Sequence, residues 1–307
     1  MRTLKILSLF SALLASTLAS AYDARWPDYG VLASEGRGSG PGEYFQGFES
    51  PCFAPPLQPA SAENDWIRFY GELVRVDTGF AGIFSPAGFN HAEVRPPLPM
   101  PPGPQTGAFT RLGGYRTSFG DGFVVEMDVY FDLADPLVTS GNNAAYGWDA
   151  TVGINNQAGD HRRDFVIHTA SNTLGQILVG SSNATNFVPI SSLGTGPHFV
   201  VSSTGWYTLQ WVFRENLAGS LAVDTVLRND QQQMLWTGTL NNASDVIATE
   251  IGGNRYLWFP YMQSGRLAID SVRLGSGAVM ARAAPRAAPA GEICDAMFAN
   301  GFERPGG

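Results

Sequence analysis

The stretch Phe123-Val-Val-Glu-Met-Asp-Val-Tyr-Phe131 decides the fold of this chain. Apolar residues occupy its odd positions, whereas Glu126, Asp128 and Tyr130 occupy even ones. Successive side chains of a β-strand point to opposite faces, so this alternation predicts a strand with one buried face. Strands at regular spacing, separated by turn residues and without helical periods between them, predict an all-β sandwich or barrel. Eight further segments are strand-like, namely 148–154, 163–169, 175–180, 198–202, 206–214, 220–227, 233–240 and 266–274.

The composition excludes several classes of protein. Of the 307 residues, 44% are hydrophobic and only 15% are charged, so the chain can bury a core and is neither disordered nor a coiled coil. The formal net charge is −8. Proteins that bind nucleic acid need basic patches, so we expect no nucleic-acid partner.

The two ends of the chain differ from its middle. Residues 1–21 have a basic start, an apolar stretch and an A-x-A site, which predicts a signal peptide and a secreted protein, extracellular or periplasmic. No other stretch is apolar enough to span a membrane. Residues 22–44 are predicted to be a flexible leader, and 45–276 the β-sandwich domain. Residues 277–307 are predicted to be an Ala/Pro linker with a tail motif.

Two cysteines, Cys52 and Cys294, lie near the two ends of the predicted domain. In an oxidising compartment such a pair predicts a disulfide. Closing so long a loop would stabilise the fold by about 4–5 kcal/mol in chain-entropy models. Two free thiols, or a link to another molecule through Cys294, are the alternatives.

Two segments, one at each end of the predicted domain, resemble strands of known proteins. Gly47-Phe48-Glu49-Ser50-Pro51 resembles the opening strand of concanavalin A-like jelly rolls, and Leu267-Ala-Ile-Asp-Ser-Val-Arg-Leu274 resembles their closing strand. LamG and MAM domains, many carbohydrate-binding modules and a group of uncharacterised secreted bacterial domains are similar. The resemblance implies a jelly-roll sandwich of two antiparallel sheets. It also implies a structural Ca²⁺ held by Glu49 and Asp270, since calcium prefers carboxylate and carbonyl oxygens. The alternative is that these two side chains only bond to neighbouring backbone or Arg.

The predicted strand 123–131 contains a segment similar to the first half of a catalytic motif. Glu126-Met-Asp128 resembles the beginning of the Glu-x-Asp-x-Glu motif of concanavalin-like glucanases, in which facing carboxylates act as nucleophile and acid. Tyr130 replaces the last Glu, so the motif is broken. The alternative is a solvated outer face of the sheet.

The densest polar cluster is His161-Arg-Arg-Asp164. Strict alternation places His161 and Arg163 on one face and Asp164 on the other. A polysaccharide lyase needs a His or Tyr base and an Arg beside the uronate carboxylate. This segment could supply the His and the Arg of such a site. The alternative is that it is a loop-to-strand junction stabilised by Arg–Asp pairs. The complete lyase set would be Tyr115, Arg116, His161 and Arg163.

Aromatic residues are the remaining signal. Trp148, Tyr256 and Trp258 lie next to Gly or Asn-Arg segments, so we expect their rings to be exposed. Exposed rings stack on sugars, which makes these three the predicted ligand-binding residues, although aromatic rings more often belong to a core. The resulting expectation is a non-enzymatic module that binds polysaccharide or cell-surface glycan. A polysaccharide-degrading enzyme, either hydrolase or lyase, and a structural envelope protein are the alternatives.

Overall fold

The structure is a computed structural model, and it describes residues 36–37, 44–49, 53, 66–68, 71–95, 107–114, 119–241 and 253–276. The predicted signal peptide, the tail 277–307, both cysteines and the pair Tyr115 and Arg116 lie outside these residues. The predictions made for them therefore stay predictions. None of the described helices is long and apolar enough to cross a membrane.

The described residues contain sixteen strands, numbered along the chain, which form two antiparallel sheets. Sheet A runs in the order β1-β2-β16-β7-β12-β13-β14, with β5 beside the first half of β16 and β4 beside β5. Its strands are β1 (Gly36–Arg37), β2 (Tyr44–Gln46), β4 (Glu72–Asp77), β5 (Asn90–Arg95), β7 (Phe123–Phe131), β12 (Gly205–Glu215), β13 (Leu221–Asn229), β14 (Met234–Leu240) and β16 (Leu267–Ser276).

Sheet B runs in the order β11-β10-β9-β8-β15-β6-β3. Its strands are β3 (Trp66–Arg68), β6 (Ala108–Thr110), β8 (Gly147–Asn155), β9 (His161–Ser171), β10 (Ile177–Asn183), β11 (Phe199–Val200) and β15 (Gly253–Gln263). The described helical segments are short: α1 (Pro136–Thr139) and two 3-10 turns, Phe80–Gly82 and Ile190–Thr195. The predicted all-β jelly-roll sandwich is confirmed.

The core lies between the two sheets and is lined by alternate residues of each strand. Phe123, Val125, Met127, Val129 and Phe131 of β7 all face it, as the alternation predicts. The indole of Trp211 in sheet A donates to the carbonyl of Phe165 in sheet B at 3.1 Å, which joins the layers across the core. The sandwich therefore has two outer faces, and each carries polar side chains.

Trp148 belongs to this core, so the prediction that its ring is exposed is wrong. It lies on β8 in phase with core residues Ala150 and Val152, and it is fully buried. Its ring stacks on Phe131 at 5.9 Å, and its indole N–H donates to the hydroxyl of Tyr146. The neighbouring Gly147 marks a close approach to Ile190 and not a loop.

Candidate functional site

Three side chains meet around one carboxylate oxygen on the outer face of sheet B. The hydroxyl of Tyr256 on β15 donates to Oδ1 of Asp164 on β9 at 2.7 Å. Nε2 of His161 lies 3.1 Å from the same oxygen. The side chain of His161 is 40% exposed and that of Asp164 22% exposed, so a ligand in solution can reach them. We call these three residues the His–Asp–Tyr cluster.

A β-bulge brings His161 into this cluster. Asp164 pairs with Gly153 and Arg163 with Ile154, but Asn155 pairs with His161, so β9 has an extra residue at Arg162. An inserted residue reverses the face on which the next side chain lies. The prediction that His161 and Arg163 share a face is therefore wrong. Arg163 keeps the phase of the core residue Phe165, whereas His161 joins Asp164.

Gly153 makes the central contact possible. It is the residue of β8 opposite Asp164. A Cβ atom at this position would lie 2.7 Å from the ring of Tyr256 and 3.1 Å from Oδ1 of Asp164. Because the distance of 2.7 Å is shorter than real Cβ atoms show, glycine at this position lets the Tyr256 ring cross β8 to reach Asp164. A glycine inside a strand often marks such a close approach.

Aromatic rings extend the cluster into an aromatic shelf, defined as Phe109, His161, Tyr256 and Trp258. The His161 and Tyr256 rings are parallel within 6°, with centroids 6.0 Å apart. Phe109 lies 5.2 Å from Tyr256, and Trp258 is edge-on to it at 6.1 Å. Phe109, Tyr256 and Trp258 are all partly exposed. Two of the three rings predicted to bind ligand therefore lie together beside the predicted lyase histidine.

Positive charge lies at the same end of the sheet. Arg162 is exposed on the bulge, and Nη1 of Arg255 donates to the carbonyl of Gly159 in the adjacent turn. Guanidinium groups suit the recognition of carboxylates.

The acids predicted from the glucanase-like motif lie on the other outer face, that of sheet A. The amide of Gln210 donates to Glu126 at 3.0 Å, and the hydroxyl of Thr208 donates to Asp128 at 2.6 Å. Asp128 is 3% exposed and pairs across the strands with Asp270, which is fully buried. The expectation of a solvated face is wrong here, because neighbouring polar side chains bind and cover these acids.

Asp270 has an unusual environment. Its Oδ1 accepts the amide N–H of Ser271, and its Oδ2 is buried without a hydrogen-bond partner. Burial raises the pKa of this carboxyl well above its usual range, and repulsion from Asp128 adds to the effect. Glu49 is also close enough to repel it.

Glu49 is fixed by the loop that precedes β5. Its Oε1 accepts the amide N–H groups of Phe89 at 2.8 Å and Asn90 at 3.1 Å. Burial raises the pKa of Glu49 from its usual value, and these two bonds partly oppose the rise. Within the described ranges, no group of three or more His, Cys, Asp or Glu side chains is placed to hold a metal ion. Any calcium here would need backbone carbonyl or water oxygens to complete its shell.

The comparisons with known proteins are limited to fold. No family model and no curated protein matches the chain. It is similar to an alginate lyase from Aplysia kurodai, with 12% identity, a TM-score of 0.38, and 61% of this chain and 83% of that chain covered. It is also similar to an endo-β-1,4-glucuronan lyase from Trichoderma reesei, with 10% identity, a TM-score of 0.38, and coverage of 70% and 95%. A protein of unknown function from Shewanella oneidensis MR-1 has 11% identity, a TM-score of 0.40, and coverage of 82% and 95%.

These comparisons correct one expectation. We expected a non-enzymatic binding module, whereas polysaccharide lyases recur among the similar structures. We therefore withdraw that expectation. Likeness at this level concerns the sandwich and not its chemistry, so the case for an activity depends on the side chains of this chain.

Proposed function

We propose that this chain is a polysaccharide-degrading enzyme whose active site is the His–Asp–Tyr cluster. The observation that carries the proposal is the meeting of His161 and Tyr256 on one oxygen of Asp164, on an exposed face. Two groups that can transfer protons are thereby oriented by a third, which is the usual arrangement for general acid–base catalysis. The aromatic shelf beside them offers rings on which a sugar can stack.

The side chains favour elimination over hydrolysis. Hydrolysis of a glycosidic bond ordinarily uses two carboxyl groups that flank the bond. The cluster has one carboxylate with a His and a Tyr, which suits removal of the proton beside a uronate carboxylate. In this scheme His161 removes that proton, the bond to the leaving sugar oxygen breaks, and Tyr256 protonates that oxygen. Asp164 positions both groups, and Arg162 offsets the charge of the uronate.

The experiment is an assay on uronic-acid polymers and, in parallel, on neutral glucans. Elimination creates a carbon–carbon double bond that absorbs in the ultraviolet together with a new reducing end. We expect both signals from uronic-acid polymers only. New reducing ends without absorbance would replace elimination by hydrolysis, and silence on every polymer would overturn the proposal.

The active-site assignment is tested by His161→Asn and Tyr256→Phe, which keep the shape of each side chain approximately. We expect each to lower the rate by roughly 100-fold or more, as is typical for loss of a general acid or base. Tyr130→Phe is the matched control, since Tyr130 is a partly exposed tyrosine on the outer face of sheet A. An equal loss in the control would move the site to sheet A.

We also propose, from the resemblance at the two bracketing strands, that Glu49 and Asp270 hold a structural Ca²⁺. The support is that their carboxylates are near enough to repel each other and that Oδ2 of Asp270 has no partner. Calcium that binds only the folded state stabilises it by RT ln(1 + c/Kd), where c is the calcium concentration, so the free energy of unfolding rises with the logarithm of that concentration. We expect calcium to raise the melting temperature relative to a chelator, and Glu49→Gln to remove the difference. An equal melting temperature with and without calcium would overturn this site.

A further inference from the structure

Three side chains on adjacent strands of sheet B form a continuous hydrogen-bonded chain that the proposed function does not use. Nδ1 of His168 on β9 lies 2.7 Å from Oδ1 of Asp149 on β8. Nε2 of the same ring lies 2.6 Å from Oγ of Ser182 on β10. The strand register explains the meeting, because Asp149 and Gly180 both pair with His168, and Ser182 is two residues beyond Gly180 on the same face.

The network determines how the protons are arranged. Oγ of Ser182 also accepts the amide N–H of Val188 at 3.1 Å. The carboxylate of Asp149 can only accept, so Nδ1 of His168 carries the ring hydrogen and donates it. In this tautomer Nε2 is the acceptor, and the hydroxyl of Ser182 donates to it. This is the arrangement of a serine whose hydroxyl is activated by a histidine that a carboxylate orients.

A short cover closes the site. The amide N–H groups of Thr185 and Asn186 both donate to Oδ1 of Asn183, which turns the chain back over β10. The ring of Phe187 in this turn lies edge-on to His168 at 5.3 Å and is 52% exposed on its other side. Ser182 is 3% exposed beneath this cover. Movement of Phe187 is therefore needed before a substrate can reach the serine.

We propose that Ser182, His168 and Asp149 form a second active site, which hydrolyses short-chain O-acyl esters. Ser182 attacks the ester carbonyl carbon while its proton passes to Nε2 of His168. The bond to the alcohol oxygen breaks, and that oxygen receives the proton from His168. Water then attacks the acyl-serine, its proton passes through His168 back to Ser182, and the free acid leaves. The products are one alcohol and one acid for each ester and water consumed.

The surroundings limit both halves of the ester. A Cβ atom at Gly180, opposite His168, would lie 2.6 Å from Cδ1 of Leu193, so the space beside the ring suits only a small acyl group such as acetyl. Trp258 of the aromatic shelf pairs with Thr151, two residues from Asp149 on the same face. A sugar stacked on the shelf is thus the expected alcohol half, and this part alone rests on the function proposed above.

The first test uses a fluorophosphonate, which labels only activated serines, and p-nitrophenyl acetate. We expect one adduct, mapped by peptide mass spectrometry to Ser182, and sustained turnover of the acetate. Ser182→Ala should abolish the adduct and lower turnover by about 100-fold or more. Ser202→Ala, which changes an exposed serine, is the control. No adduct in the unaltered protein or in Phe187→Ala would overturn the site.

Phe187→Ala provides a second test of the site in case Ser182→Ala does not fold. Removing this half-exposed ring should leave the fold intact and raise the labelling rate by roughly 10-fold, because it opens the cover. If a folded Phe187→Ala protein is labelled no faster than the unaltered one, Phe187 does not limit access to Ser182. Turnover of p-nitrophenyl acetate without release of acetate from an acetylated polysaccharide rejects the sugar as the alcohol half. The adduct at Ser182 and the turnover of p-nitrophenyl acetate require no sugar on the aromatic shelf, so their outcome is independent of the function proposed above.

Discussion

The outer face of sheet A and the bulged end of β9 in sheet B carry similar polar residues, but these residues differ in their exposure to solvent. On sheet A, Asp128, Glu126 and Asp224 are buried, and each accepts hydrogen bonds from a neighbouring strand. On sheet B, His161 and Asp164 contact each other but remain open to solvent. The bonds of these sheet A acids join neighbouring strands, whereas the groups at the bulge of β9 are oriented by one another and can contact a ligand without any movement of the protein. For cleavage of a polymer, the buried Asp128 of the glucanase-like motif is thus a weaker candidate than the solvent-accessible Asp164.

The largest effect is expected from matched changes of one carboxylate on each face. Asp164→Asn should lower the polymer-cleavage rate by roughly 100-fold or more with little change in stability, because it removes the group that orients His161 and Tyr256. Asp128→Asn should leave the rate within about threefold of the original and instead lower the melting temperature. Rates and thermal melts of both variants decide the matter. The reverse pattern would move catalysis to sheet A.

A second contrast concerns stability. Asp224 is fully buried and accepts Nε of Arg214 at 2.5 Å and Nη2 at 3.1 Å. Arg214→Ala leaves that carboxylate without its charged partner, and we expect a loss of about 2–4 kcal/mol in the free energy of unfolding. Arg162→Ala, on the exposed bulge of sheet B, should change it by less than about 0.5 kcal/mol. Urea unfolding of the two variants measures the difference, and similar losses would contradict the division between the faces.

The third prediction tests the close approach in sheet B. Gly153→Ala would place its methyl group against the ring of Tyr256 and force the ring away from Asp164. We expect a roughly 10-fold loss of cleavage rate, since misplacement of a catalytic group is costly, and about 1–3 kcal/mol of destabilisation from overpacking. Gly265→Ala is the control, because an added Cβ there meets open space. An unchanged rate in Gly153→Ala would show that the Tyr256–Asp164 bond is dispensable.

Much of the sandwich was predictable from sequence, and the exceptions have physical causes. Strands β7 to β10, β12 to β14 and β16 follow visible alternation or apolar runs. Strand β5 was not predicted because it has only two apolar inward residues, Ala92 and Val94, which are too few to form a clear alternating pattern. Strand β15 contains Pro260 and two register shifts, so it lacks a continuous period of two.

The candidate site was only partly predictable for the same kind of reason. Tyr256, Trp258 and His161 could be recognised by residue type and by nearby turn residues. The bulge at Arg162 could not be recognised from sequence. It places His161 on the same face as Asp164 and not on that of Arg163. Pairings between residues 92 apart, such as Tyr256 with Asp164, depend on strand order, which no local pattern encodes. Glycine in the middle of β8 was the one available signal of that contact.

The smallest expected effect is a pH dependence located on the sheet A side. His91 is buried on β5, its Nδ1 lies 3.0 Å from Oγ of Ser85, and its Nε2 has no partner. Burial, with a contribution from Arg266, lowers the pKa of His91 to about 4. Above pH 6.5 the ring is neutral in both states and adds no pH dependence. Between pH 6.5 and about 4 the unfolded chain binds a proton that the folded protein does not. The free energy of unfolding therefore falls as the pH is lowered through this range.

We expect this fall to be about 1–2 kcal/mol after allowance for screening by solvent. His91→Gln removes the titrating ring, so the difference in stability between pH 7 and pH 4.5 should shrink by that amount. Urea unfolding of the original protein and of His91→Gln at the two pH values measures this change. If His91→Gln keeps the full pH dependence, another titrating group on the molecule is responsible for it.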